Sequence, residues 1–169
     1  MDYTVVDPQG FRLSIGIILV NTDNKLFWAR RIGKNIWQFP QGGIAKNETT
    51  EEALFRELRE EVGLLKQDVK IVDKSKLWVQ YLLPAKYIRN DTKPLVIGQR
   101  QKWYLLELFC SDKKIQLNNS NHPEFDAWMW ADYWYPIENI VFFKKKIYKQ
   151  VLQEFEYKIF TEHNHKSND

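Results

Sequence analysis

The stretch from Phe39 to Leu64, FPQGGIAKNETTEEALFRELREEVGL, limits this chain's fold more than any other. Thr49-Thr50-Glu51-Glu52 matches a capping box, so Thr49 is the expected N-cap of a helix and Glu52 the residue that reaches back. Leu54, Leu58, Val62 and Leu65 then recur at helical spacing and give that helix one apolar face, which must pack on something. Gly63 can close it, because glycine takes the left-handed conformation that ends helices. The same helix crowds Glu57, Glu60 and Glu61 together. Like charges at i,i+4 cost about 0.2–0.5 kcal/mol per pair, so something positive belongs among them. Arg56 stands four residues before Glu60 and can orient it. Just upstream, Gly42 and Gly43 let the backbone turn sharply and approach other groups closely.

Around this helix the pattern is mostly that of strands. Leu13–Val20 (LSIGIILV) reads as a buried strand, Asn21–Asn24 as a turn and Lys25–Arg30 as the returning strand of a hairpin. Ile36–Phe39 is a short strand ending at Pro40. Lys76–Leu83, Lys102–Phe109 and Ala127–Ala131 are further strands, and Pro84–Gln101 is a long basic loop of the kind that is usually functional or disordered. Phe143, Ile147, Val151, Phe155 and Ile159 step by four and predict a long C-terminal helix. No repeat or low-complexity segment interrupts them. Strands with helices on either side of a mixed sheet make the fold α/β (α+β), with one domain over residues 1–160 and a polar, disordered tail over 161–169. His163 and His165 in that tail are expected to be solvated rather than metal ligands.

Charge and composition narrow the function classes. The 25 Lys+Arg against 22 Asp+Glu leave a net +3, too mild by itself to indicate a nucleic-acid binder. The distribution says more: Thr50–Glu61 is acidic, Lys86, Arg89, Lys93, Arg100 and Lys102 form a basic middle opposed only by Asp91, and Lys144, Lys145, Lys146 and Lys149 form a second basic cluster. An acidic centre with basic flanks suits an anionic substrate held by cations and metal. The 7 Trp, 8 Tyr and 10 Phe supply core, and also faces on which bases can stack. Cys110 is the only cysteine, which is compatible with a reducing compartment. The N-terminus has neither the basic nor the apolar segment of a signal peptide, and no apolar run approaches the roughly 20 residues of a membrane span. A cytoplasmic location is expected.

The spacing Gly42–x5–Glu48–x7–Arg56-Glu57-Leu58-Arg59-Glu60-Glu61-Val62-Gly63 resembles the Nudix box, the signature of hydrolases that cut nucleoside diphosphates linked to another moiety. At about 7% usage per residue type, nine matched positions arise by chance on the order of 10⁻¹¹ per starting point. Gly10-Phe11-Arg12, Trp28–Arg31, Trp37–Gly43, Asp91–Pro94, Gly98–Trp103, Pro123–Asp126 and Tyr133–Pro136 extend the likeness over nearly the whole chain. They are similar to the bacterial RNA pyrophosphohydrolases, also described as dinucleoside polyphosphate hydrolases.

That resemblance implies a Nudix fold, an α/β/α sandwich around a mixed β-sheet. It implies hydrolysis of the 5′-triphosphate of RNA to a 5′-monophosphate with release of pyrophosphate, which initiates mRNA decay. The same site could instead cut dinucleoside polyphosphates, and a catalytically silent nucleotide- or RNA-binding module is a third reading, against which the intact box argues. By resemblance, Glu57, Glu60 and Glu61 are catalytic. Gly42, Glu57, Glu60, Glu61 and Glu124 form the metal site, with Mg²⁺ expected and Mn²⁺ or Zn²⁺ as alternatives. Arg12 and Arg31 hold substrate phosphates, and Val141, Phe143 and Lys144 form a cleft for an RNA base. Gly43, Glu48, Arg56 and Gly63 are structural in the motif. The chemistry agrees with the residue types: divalent cations neutralise a pyrophosphate's charge and take oxygen ligands. On this reading metal ions offset the repulsion among the glutamates. The protein is expected to act as a monomer, with any activating protein partner unknown.

Overall fold

In the computed structural model, residues 4–162 are described, the side chains of 161 and 162 excepted; the tail histidines lie outside this range. One mixed sheet organises the chain. Its strands are β1 (Phe11–Val20), β2 (Leu26–Arg31), β3 (Trp37–Gln38), β4 (Gln41–Gly43), β5 (Val69–Lys74), β6 (Val79–Leu82), β7 (Gly98–Leu108) and β8 (Phe125–Ala131). The path runs β3-β2-β1-β7-β5, with β4 joined to β1, β6 to β7 and β8 to β2. β1 and β7 pair in parallel along their whole shared length, from Phe11 opposite Gly98 to Val20 opposite Glu107. The other pairings are antiparallel.

The apolar run of β1 is buried on both faces, and its alternation sorts two cores. Ile18 and Val20 face one way, with Trp28, Trp103 and Leu105, against Ile147, Tyr148, Val151, Leu152 and Phe155. Those last residues belong to α3 (Lys145–Glu162). Ile15, Ile17 and Leu19 face the other way, with Phe27, Tyr104 and Leu106, against Ala53, Leu54, Leu58 and Val62. This second set lies on α1 (Thr50–Glu57) and the π-helical turn Leu58–Val62 that continues it. Two covered faces are what a strand without polar alternation requires. The expected helix–sheet–helix sandwich is what the chain forms.

Several expectations need correction. Leu65, expected on the helix's apolar face, is 45% exposed, while Leu64 is fully buried. The cause is Gly63, whose φ of 76° turns the chain out of the helix before Leu65. Thr49 does cap α1, accepting a hydrogen bond from the Glu52 N–H at 3.1 Å; Glu52 itself is exposed. The long basic loop is shorter than expected, because β7 already begins at Gly98 and a 3₁₀ turn occupies Ala85–Tyr87. β5 and the short helix α2 (Tyr135–Asn139) were not anticipated. β5 carries charges between its apolar residues, and α2 is too short to show a period.

Candidate active site

The box residues meet where β4 passes over the end of α1. β4 pairs with the start of β1, Ile15 opposite Gly42 and Ser14 opposite Gly43. A Cβ on Gly42 would run into the Glu57 carboxylate. The bare glycine is therefore what allows Glu57 to lie against the strand. Glu57, the last residue of α1, and Glu61, in the π-helical turn that follows, are both 8% exposed. π turns inside helices are rare and frequent at functional sites.

The cation expected among the glutamates is a protein side chain. Arg56 donates to Glu48 through Nε (2.7 Å) and Nη2 (2.9 Å), to the Gly43 carbonyl (2.8 Å), to Glu57 (2.6 Å) and to Glu60 (3.4 Å). This bidentate fork is a task for arginine rather than lysine. Its hydrogen bonds hold the Glu48 carboxyl below the usual carboxylate range. Glu48 in turn accepts from the Ala45 N–H at 3.0 Å, tying the loop to the helix. The sequence alone suggested that Arg56 orients Glu60; its shorter bonds go to Glu48 and Glu57, and metal is not needed to offset all the repulsion.

Burial raises the Glu57 carboxyl, against the pull of Arg56. Glu61 is raised further, first by burial and then by the charges of Glu57 and Glu124, and it shares a hydrogen bond with Glu57. Its Oε2 is buried and has no hydrogen-bond partner. In this conformation no three Asp, Glu, His or Cys side chains among the described residues are gathered into a metal shell. The donor set nevertheless suits a hard divalent cation: an orphaned carboxylate oxygen faces a second carboxylate, and oxygen ligands are what such ions take.

Above the glutamates opens a cleft of about 500 Å³. Arg12, Arg31, Gly42, Gly43, Glu57, Glu60, Glu61, Glu124, Val141, Phe143 and Lys144 all line it, so every residue expected to touch metal, phosphate or base is on its walls. Arg31 lies at a register shift in the β2–β8 pairing. Such a bulge re-aims a side chain. Arg31 pairs with Glu124 at 3.1 Å while its neighbour Arg30 pairs with Asp126 at 2.8 Å. Glu124 is held by its own backbone too, its carbonyl accepting from the Ile32 N–H. Arg12 reaches the Thr4 hydroxyl at 3.2 Å.

The three residues expected to receive a base share the cleft but differ in burial. Phe143 packs its ring 5.9 Å from that of Tyr81 and 5.4 Å from that of Tyr87, forming an aromatic wall with Val141 beside it. Lys144 lies beneath that wall. It is 7% exposed, with its ammonium 3.4 Å from Gln38 and over the Tyr81 ring. Burial, then the charge of Arg31, lowers its pKa to about 8. Phe143 and Lys144 sit in a 3₁₀ turn ahead of α3 rather than on it, and Val141 caps that turn, which sends the three side chains in different directions. Sequence reasoning missed Gln38, Gln41, Tyr81, Tyr87 and His122, which also line the cleft. Gln38 and Gln41 flank Phe39-Pro40 within the same glycine-rich segment, a signal that could have been used. The tyrosines carry none, since they reach the site only through β6 and the turn after it.

A mixed sheet between helices, with a buried glutamate helix facing a diglycine strand, defines the class. The chain belongs to the Nudix family: the NUDIX domain model matches residues 10–155. A Pseudoalteromonas translucida protein named RNA pyrophosphohydrolase is 50% identical over 151 residues, covering 89% of this chain and 88% of its own. An Acinetobacter baylyi protein of the same name is 53% identical over 150 residues, covering 89% and 90%. Among solved structures, the dihydroneopterin triphosphate pyrophosphohydrolase of E. coli superposes with a TM-score of 0.66 at 20% identity, covering 84% of this chain and 95% of that one. An Ap4A hydrolase from C. elegans does so at 0.61 and 17% identity, covering 85% and 95%. These two bear on the fold alone. No helix among the described residues is long and apolar enough to cross a membrane.

Proposed function

We propose that this protein hydrolyses the 5′-triphosphate of RNA, leaving a 5′-monophosphate and releasing pyrophosphate. One observation carries the reading: a single cleft is lined by arginines, by buried glutamates and by an aromatic wall. A triphosphate suits the charged groups and a base the aromatic ones. Relatives at about half identity named RNA pyrophosphohydrolase support it. Glu57, Glu60, Glu61 and Glu124, with the Gly42 backbone, are the groups that would hold a divalent cation, Mg²⁺ before Mn²⁺ or Zn²⁺. When bound, that cation neutralises phosphate charge and polarises the attacked phosphoryl group. Arg12 and Arg31 clamp the phosphates, with Arg31 exchanging the Glu124 carboxylate for a phosphate oxygen. Glu57, raised by burial, takes a proton from the attacking water. Val141 and Phe143 receive a base, and Lys144 adds positive charge beneath the phosphates. The cytoplasm is the compartment this activity requires, and through it the protein would start the decay of messages.

Glu57→Gln should lower turnover of 5′-triphosphate RNA by at least about a hundredfold with an unchanged melting curve, because a charge and a base are lost together. Wild-type turnover in the variant at saturating Mg²⁺ would overturn the assignment. The aromatic wall would also accept the adenine of a dinucleoside polyphosphate. The comparison that separates the two readings is kcat/KM on triphosphate RNA against diadenosine tetraphosphate, with Mg²⁺ and with Mn²⁺. A clear preference for the dinucleotide would make it the natural substrate.

A further inference from the structure

A second cleft, of about 580 Å³, lies beside the first. Arg12, Arg31, Leu83, Tyr87 and Gln99 line both, so the two share a wall, with Tyr87 at the junction. Its outer rim is built from the segment after β6 and includes Arg89, Thr92, Lys93 and Pro94. The cations of this rim differ from the paired arginines of the sheet and of α1. Arg30, Arg31, Arg56 and Arg100 each rest on a carboxylate. Arg89 and Lys93 are exposed, and neither has an ion-pair partner among the described residues. Asp91, the acid of the same loop, does not line the cleft. Tyr87 is 47% exposed, and the Lys86 ammonium lies 5.0 Å from its ring centroid.

We infer that this second cleft carries the RNA chain beyond its 5′-terminal nucleotides, with Tyr87 as a stacking face at the junction and Arg89 and Lys93 holding the phosphodiesters that follow. The inference rests on the RNA reading above and extends it. Two cations beyond the triphosphate end are of use only to a substrate that stays anionic along its length. RNA presents a phosphate at every nucleotide. The far nucleoside of a dinucleoside polyphosphate is neutral, and a mononucleotide triphosphate ends in the first cleft. Exposed aromatic faces next to a positive groove are how single strands are held without regard to sequence.

The test compares a 5′-triphosphate dinucleotide with a 5′-triphosphate single strand of about ten nucleotides. Wild type and the Arg89→Gln/Lys93→Gln double variant are assayed between about 50 and 200 mM salt. The substituted side chains are exposed, so the fold should persist; a melting curve checks this. The double variant should lose about tenfold in kcat/KM on the longer RNA at low salt, and its log–log salt slope should flatten by about 0.7 for each lost phosphate contact. Its kcat/KM on the dinucleotide should not move. Equal loss on both RNAs, or loss on neither, overturns the inference and leaves the enzyme's function standing. If the wild type turns over neither RNA, the functional reading itself fails, and this inference with it.

Discussion

At the scale of single residues, Lys144 is a side chain whose environment opposes its charge. Its ammonium is buried with only a long contact to Gln38, and its pKa falls to about 8. A group whose folded pKa lies below its ordinary 10.5 holds fewer protons in the folded state than in the unfolded one. Stability therefore rises with pH across that interval, and the cost of the buried charge is fully present below about 8. Lys144→Met keeps the stem and removes the charge. It should melt higher than wild type at pH 7, and the gap should narrow as pH rises above about 8. Turnover of triphosphate RNA should fall in the same variant, since burial of a charge at a cost to stability is characteristic of a site. Thermal melts from pH 7 to pH 10 alongside activity assays measure both; an unchanged melting temperature would show that the ammonium is not desolvated. Arg56 is the opposite case. Its carboxylate partners raise its pKa, and it is matched on every side.

At the scale of elements, the junction of α1 with its π turn decides where the glutamates point. Thr49 starts the helix, and such caps contribute about 1 kcal/mol. Gly63 stops it in the left-handed region, and a Cβ there would also press on the Gln116 backbone, at 2.7 Å from its carbonyl oxygen. Gly63→Ala should destabilise the protein by more than about 1 kcal/mol, since it adds that contact to an unfavourable φ. Denaturant unfolding checks the figure. Gly42→Ala tests the other side of the junction. Its Cβ would displace the Glu57 carboxylate. The expected outcome is a folded protein with turnover reduced at least about tenfold, because a small misplacement of a catalytic group is costly. Near-normal turnover would show that Glu57 does not need its place against β4.

At the scale of the molecule, the two faces of the sheet have divided tasks. One face holds α1 and the glutamates; α3 covers the other, and the turn before it supplies Val141, Phe143 and Lys144. The cleft is lined by residues from β1, β2, β4 and β6 together with that turn. Divalent cation bound only by this assembled site should raise the melting temperature, by the equivalent of about 2.7 kcal/mol at a hundredfold excess over Kd. Glu61→Gln should abolish most of that gain; an equal gain in the variant would place the cation elsewhere. The sequence by itself determined the helix, its cap and its stop, the buried strands, and the glutamate and glycine spacing, because these depend on neighbours a few residues away. It also carried the family, since motifs from Gly10 to Pro136 are local strings. It could not show that Arg56 joins Glu48, Glu57 and the Gly43 carbonyl, that Arg31 rests on Glu124, or that Lys144 is buried under the aromatic wall. Tyr81 and Tyr87 were equally hidden, and the basic loop showed its charge but not its place beside the first cleft. Those contacts join segments far apart in the chain, and only the register of the sheet and the packing of helices on both its faces bring them together.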